Sequence, residues 1–94
     1  MKRSCVVVPW PQGLHLRAAT RLVRTAQRFR STIFLKRGDR IANLRSIFSV
    51  LALCATLGTP LDLEAVGDDE QNAAEAVERI FAMGEALRDT PEER

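Results

Sequence analysis

Apolar residues change their spacing repeatedly along the chain, and each change predicts an element. Ser4-Cys-Val-Val-Val8 is a β-branched run closed by Pro9-Trp-Pro11, which predicts a strand followed by a rigid, extended loop. From Leu16 to about Arg28 the period becomes helical. Ala19, Leu22, Val23 and Ala26 share one face, and Arg17, Arg21, Arg24 and Arg28 form a basic stripe on the other. Thr32–Lys36 predicts a strand and Ile41–Leu44 its antiparallel return. Between them Arg37-Gly-Asp-Arg40 has Gly38 where a type II′ hairpin turn needs a positive φ. Ser46 is a predicted N-cap for a short apolar helix reaching about Leu53, and Gly58 ends that segment. Leu61, Leu63 and Ala65 alternate with Asp62 and Glu64, a half-buried strand with one wet face. Asp68 and Gln71 predict a capping box, with Asp69 and Glu70 adding negative charge at the start of a last helix. Ala73, Val77, Ile80 and Leu87 are the buried stripe of that helix. Phe29 and Met83 are expected in the core, and Trp10 as a loop anchor, with packing over the loop before the first helix as the alternative.

The order β-α-β-β-α-β-α predicts an α+β fold: one four-stranded antiparallel sheet with three helices on one face and the other face open. A chain of 94 residues makes one domain, expected over 1–88, with a frayed tail at 89–94. Its 46% hydrophobic and 28% charged residues argue against disorder. No apolar run approaches the ~20 residues that cross a bilayer, so membrane insertion is not expected. Met1-Lys2-Arg3 precedes only a short Val-rich stretch that meets Pro9, a poor signal peptide, and the expected location is cytoplasmic.

Two cysteines, Cys5 and Cys54, are too few for a disulfide framework and are expected to be reduced and mostly buried. With one histidine in the chain, a zinc site of Cys and His ligands is hard to build, and no metal or organic cofactor is expected. No serine sits in a nucleophile-elbow context, which argues against classical hydrolase chemistry.

The net charge of +2 conceals a polarity: residues 1–47 have a balance of +10 and residues 48–94 one of −8. The first half is therefore a candidate docking surface for a negative partner. Nucleic acid is not the expected one. There is no Tyr, Trp10 is in a loop, and no Gly-x-x-Gly clamp occurs, so an aromatic stacking surface is missing.

The single histidine, His15, lies in Pro11-Gln-Gly-Leu-His-Leu-Arg-Ala-Ala-Thr20 at the predicted N-cap of the first helix. The first backbone N–H groups of a helix lack partners, and the dipole there favours negative charge. A phosphoryl group on the imidazole would meet those donors, with Arg17 two residues away as a charge-assisted partner. From position alone, an ordinary surface cap is the commoner case for a single histidine at a helix end.

Gly13-Leu-His-Leu-Arg-Ala-Ala19 resembles the active-site signature of the histidine-containing phosphocarrier protein (HPr) family, Gly-Leu-His-x-Arg-Pro-Ala. Ser46-Ile-Phe48 resembles the start of the family's second helix, and Gly67-Asp-Asp-Glu70 the start of its last. Three blocks at family-like spacing, over residues 3 to 88, make the pattern specific. The resemblance implies an HPr-like open-faced β-sandwich and a phosphoryl relay within the phosphoenolpyruvate-dependent phosphotransferase system. Enzyme I would phosphorylate His15 at Nδ1, and the carrier would pass the group to enzyme IIA domains in sugar uptake or its regulation. Arg17 would stabilise the phosphate. Ile47, Phe48 and Leu51 would be an exposed apolar contact patch, and Arg21, Arg24 and Arg28 a docking face for acidic partners. Ser46 would be a candidate regulatory phosphosite for a dedicated HPr kinase/phosphorylase, or a plain N-cap. A transient carrier implies a monomer, and a substrate of phosphotransfer more than a stand-alone enzyme.

Two positions depart from the family pattern: Ala18 stands where Pro is usual, and Gln12 where Asn or Ser is. They put transfer efficiency in question and leave room for two other readings. One is a regulatory, nitrogen-branch-like paralogue. The other is a degenerate module that binds partners without phosphotransfer, although His15 and Arg17 are both present.

Overall fold

A computed structural model of the chain describes residues 1–84. Its elements are β1 (Lys2–Val7), α1 (Leu16–Ala26), β2 (Thr32–Arg37), β3 (Arg40–Asn43), α2 (Ile47–Leu51), β4 (Pro60–Val66) and α3 (Glu70–Met83). The expected order is therefore met, with α1 and α2 each ending two residues earlier than the apolar pattern suggests. Leu87 of the last stripe, the domain limit at residue 88 and the tail 89–94 lie outside the described residues.

The strands form one sheet in the order β1-β4-β2-β3, with all neighbours antiparallel. Because side chains alternate, Val6, Leu35, Ala42, Leu61 and Leu63 are buried under the helices, while Cys5, Val7 and Ile41 stand on the open face. Gly38 has φ +57, and Asp39 is not among the residues with positive φ, which is the type II′ geometry expected of this hairpin. Helix α1 buries Ala18, Ala19, Leu22, Val23 and Ala26. Phe29 and Met83 are half-buried, and Phe29 packs against the edge of the core.

The α2 segment is held at both ends by side chains. Ser46 Oγ accepts from the Ser49 N–H at 3.2 Å, the predicted N-cap. At the other end Arg40 donates to the Ala52 carbonyl at 3.1 Å and Arg37 to the Leu53 carbonyl at 2.9 Å, satisfying acceptors that a helix end leaves unpaired. Five residues are too few to form a helix alone, so these anchors and the buried Val50 carry it.

Three expectations need correction. Both cysteines are exposed. Cys5 is in the odd-numbered set of β1, which faces away from the helices, and Cys54 occupies a left-handed turn (φ +53) after α2. The Asp68–Gln71 capping box does not form: Asp69 is the N-cap of α3, and Gln71 donates to Glu75 at 2.7 Å. Glu64, expected on the wet face of β4, is nearly covered there. Lys36 donates to it at 2.9 Å, and Arg3 lies within 3.5 Å.

Asp69 does something the local pattern does not reveal. Its carboxylate accepts from the N–H groups of Arg30 and Ser31, each at 3.0 Å, and from the Ser31 hydroxyl at 2.5 Å. It thereby ties the start of α3 to the loop between α1 and β2. These hydrogen bonds, that of the Ser31 side chain above all, hold its carboxyl below the usual range for an aspartate.

Candidate functional site: a histidine at the start of the first helix

The loop from Pro9 to His15 is pinned to the segment that follows α2. Val8 accepts from the Gly58 N–H and donates to Thr59, while the Leu14 N–H donates to the Ala55 carbonyl at 2.9 Å. Gly13, at φ +77, turns the chain within this loop, and its N–H donates to the Trp10 carbonyl at 2.8 Å. His15 is thus placed by backbone contacts on both sides.

His15 is the N-cap of α1, with extended backbone (φ −90, ψ 178). Its carbonyl accepts the first intrahelical bond, from Ala19, at 2.9 Å. Its Nδ1 accepts from the Ala18 N–H at 3.1 Å, so the imidazole does the work usually done by a Ser or Asp cap. This bond makes Nδ1 the lone-pair nitrogen and leaves the proton of a neutral ring on Nε2. The ring is half-buried, and the first turn of α1 contains no acidic residue to oppose an anion there.

Trp10, read from the sequence as a loop anchor or as a ring packed over the loop, does both. It does anchor the loop: it is 2% exposed, and its Nε1 donates to the Gly84 carbonyl at 3.0 Å. Its ring centroid also lies 6.0 Å from that of His15 and 5.2 Å from that of Phe81, tilted to both. The indole therefore links the imidazole to the far end of α3. Its contact with His15 depends on how the loop turns at Gly13.

Arg17 is exposed at the second position of α1, and Arg24 is exposed two turns on. Arg21 is half-buried, and Arg28 lies just past the helix, where its N–H donates to the Thr25 carbonyl. Of the apolar residues on α2, Phe48 alone is fully displayed, at 85% exposure; Ile47 and Leu51 are half-buried against the core. Leu16, next to His15 and 61% exposed, is an outward apolar residue that the sequence pattern assigns to neither face of the helix. Among the described residues no helix is long and apolar enough to cross a membrane.

A four-stranded antiparallel sheet covered on one face, with its one histidine capping the first helix, defines an open-faced α+β sandwich with the histidine at an accessible helix start. The family model of the phosphotransferase-system HPr component and its phosphorylation site matches residues 2–83. The phosphocarrier protein HPr of Treponema pallidum is 42% identical over 69 residues, 73% of this chain and 78% of that protein. A crystal structure of HPr from Thermoanaerobacter tengcongensis superposes with a TM-score of 0.81 at 30% identity, covering 96% of this chain and 98% of that one. A structure described as an HPr dimer from the same organism gives a TM-score of 0.69 at 34% identity, covering 74% and 80%. The chain belongs to the HPr family of phosphocarriers of the phosphotransferase system.

Proposed function

We propose that the chain is a phosphoryl carrier that takes the group from enzyme I on His15 Nδ1 and passes it to enzyme IIA domains, in sugar uptake or its regulation. The observation that carries this reading is the orientation of Nδ1: it is the unprotonated nitrogen and faces the positive end of α1. In the step itself the Nδ1 lone pair forms the N–P bond. The bond from phosphorus to the donor breaks, and its electron pair leaves with the donor. Nε2 keeps its proton until solvent takes it. Arg17 balances the charge on the phosphoryl oxygens.

Docking rests on Phe48 as the exposed apolar anchor, flanked by the half-buried Ile47 and Leu51 and by the basic Arg21, Arg24 and Arg28. Apolar contact at one residue with charge around it favours fast, reversible encounter with an acidic surface over tight binding, as a relay needs. Ser46, the N-cap of α2 beside Phe48, is where a kinase phosphate would place negative charge against that anchor and weaken docking. The working form is a cytoplasmic monomer with no bound cofactor.

Incubation with phosphoenolpyruvate, magnesium and enzyme I tests the relay. One acid-labile phosphoryl group, visible by intact mass and absent in His15→Ala, is the expected result. No label on folded wild type, from an enzyme I active on another carrier, overturns it.

A further inference from the structure

Ala18 is the third residue of α1, and its N–H is one of the donors for which a helix offers no acceptor of its own. Here it donates to His15 Nδ1, the nitrogen that must supply the lone pair for phosphorylation. Ala18 is fully buried, so water does not compete for this donor. It is also where the sequence departs from the signature's proline, and a proline has no N–H to give.

We propose that the Ala18 N–H is a positioning group that changes acceptor during the reaction: it holds the Nδ1 lone pair in the free protein and turns to a phosphoryl oxygen once the N–P bond has formed. This rests on His15 being the phosphoacceptor. In the free protein the bond aims the ring at the helix start and selects the tautomer protonated on Nε2. It must break for Nδ1 to attack phosphorus, which slows loading. Once Nδ1 bears phosphorus it no longer accepts, and the buried N–H would be orphaned if the phosphoryl oxygens did not replace it. Those oxygens are anionic, and a hydrogen bond to an ion is stronger than the neutral one given up. The exchange therefore stabilises the phosphorylated form over the free one. The group is held longer against hydrolysis, and the equilibrium with the donor moves towards the loaded carrier.

Ala18→Pro removes the donor at a first-turn position that tolerates proline, and Ala18→Gly keeps it. All three proteins would be loaded in two ways: by enzyme I with phosphoenolpyruvate, and by phosphoramidate, whose P–N bond breaks to release ammonia. Hydrolysis of the phosphohistidine is then followed at fixed pH. Replacing a charge-assisted bond by none is expected to make Ala18→Pro lose its phosphate about fivefold faster than wild type, with Ala18→Gly within about twofold of it. Nitrogen-15 spectra of the free proteins should show the Nε2–H tautomer predominating in wild type and Ala18→Gly, and a mixture in Ala18→Pro. Equal hydrolysis rates in wild type and Ala18→Pro overturn the proposal. If Ala18→Pro fails to fold, wild type alone decides: its Ala18 amide must shift on phosphorylation and stay protected from exchange, and an amide exchanging freely in the loaded form overturns the idea. Loading by phosphoramidate but not by enzyme I, with the rate difference present, removes the relay reading and leaves this one standing. Loading by both with equal rates does the reverse, and loading by neither removes both.

Discussion

A β-carbon on Gly13 would stand 2.5 Å from the Ala55 carbonyl oxygen, the same oxygen that accepts the Leu14 N–H at 2.9 Å. The histidine loop therefore lies against the segment after α2 with no room for a side chain, and φ +77 at Gly13 adds a backbone preference against one. Gly13→Ala is expected to lower stability by about 2–4 kcal/mol in urea unfolding, combining left-handed strain with a displaced contact. Gly38, at φ +57 with nothing within 4 Å of where a β-carbon would stand, isolates the first of these costs: Gly38→Ala should lose only about 1 kcal/mol. Phosphoryl acceptance should fall about tenfold or more in Gly13→Ala, because His15 is positioned through this loop, and stay unchanged in Gly38→Ala. Equal stability losses in the two variants would show that the Ala55 contact is not tight.

The carboxylates give the protein an acid-labile side. Asp69 is held low by Ser31 and Arg30, Glu64 chiefly by the Lys36 hydrogen bond, and Glu70 chiefly by the Met1 ammonium at 2.8 Å. A carboxyl with a lowered folded pKa adds stability that is fully present above its unfolded value, about 4, and is lost as pH falls through the folded value. The urea midpoint should therefore hold between about pH 7 and pH 5 and drop below about pH 4. Asp69→Asn should be less stable near neutral pH and show a shallower acid drop. Salt should affect the partly exposed Met1–Glu70 pair more than the Asp69 clasp, which is made of neutral donors. An acid slope unchanged in Asp69→Asn would mean that Glu64 and Glu70 account for it.

Much of the fold is legible in the sequence because period and turn chemistry are local. The switch from β-branched runs to helical spacing at Leu16, the glycine in Arg37-Gly-Asp-Arg40 and the serine before Ile47 each specify backbone geometry from a few residues, and each is met. The role of Asp69 is not legible because Ser31, its partner, is 38 residues away; Gly67 lies so close to Ser31 that the two loops exclude any side chain between them. The exposure of Cys5 and Cys54 is hidden because a small apolar residue in an apolar run reads as buried, whereas strand alternation and a left-handed turn decide which way it points. His15 and Arg17 stand out by motif. The bond from Ala18 and the ring contact of Trp10 do not, since both depend on the turn of the loop before α1.

Trp10 makes the site observable. It is the one tryptophan in the chain and is buried, so its emission should be blue-shifted in the folded protein. Its ring neighbours His15, so phosphorylation should change its fluorescence intensity, and the change should be absent in His15→Ala. Trp10→Phe keeps aromatic contact with Phe81 but leaves the Gly84 carbonyl without its donor, at a cost of about 1–2 kcal/mol. Trp10→Ala, which empties a buried site, should cost about 3–5 kcal/mol. An emission that ignores phosphorylation would mean that the indole does not sense the imidazole.

Phe48 separates docking from folding. At 85% exposure it contributes little to the core, so Phe48→Ala should leave stability within about 0.5 kcal/mol of wild type. If it is the anchor for enzyme I, its removal should raise KM for the carrier about tenfold with little change in kcat, the behaviour of a hot-spot aromatic that binds without touching the chemistry. Ile47→Ala and Leu51→Ala should differ in kind: both side chains pack against the core, so stability and docking should fall together. Neutralising Arg21, Arg24 and Arg28 with glutamine should raise KM most at low salt and flatten its salt dependence, because steering between exposed charges is screened beyond about 10 Å at 0.1 M. A KM unmoved by Phe48→Ala would sink the apolar anchor, and a salt dependence unmoved by the arginine changes would sink the basic docking face. The two results are independent, since one side chain acts by burial and the others by charge.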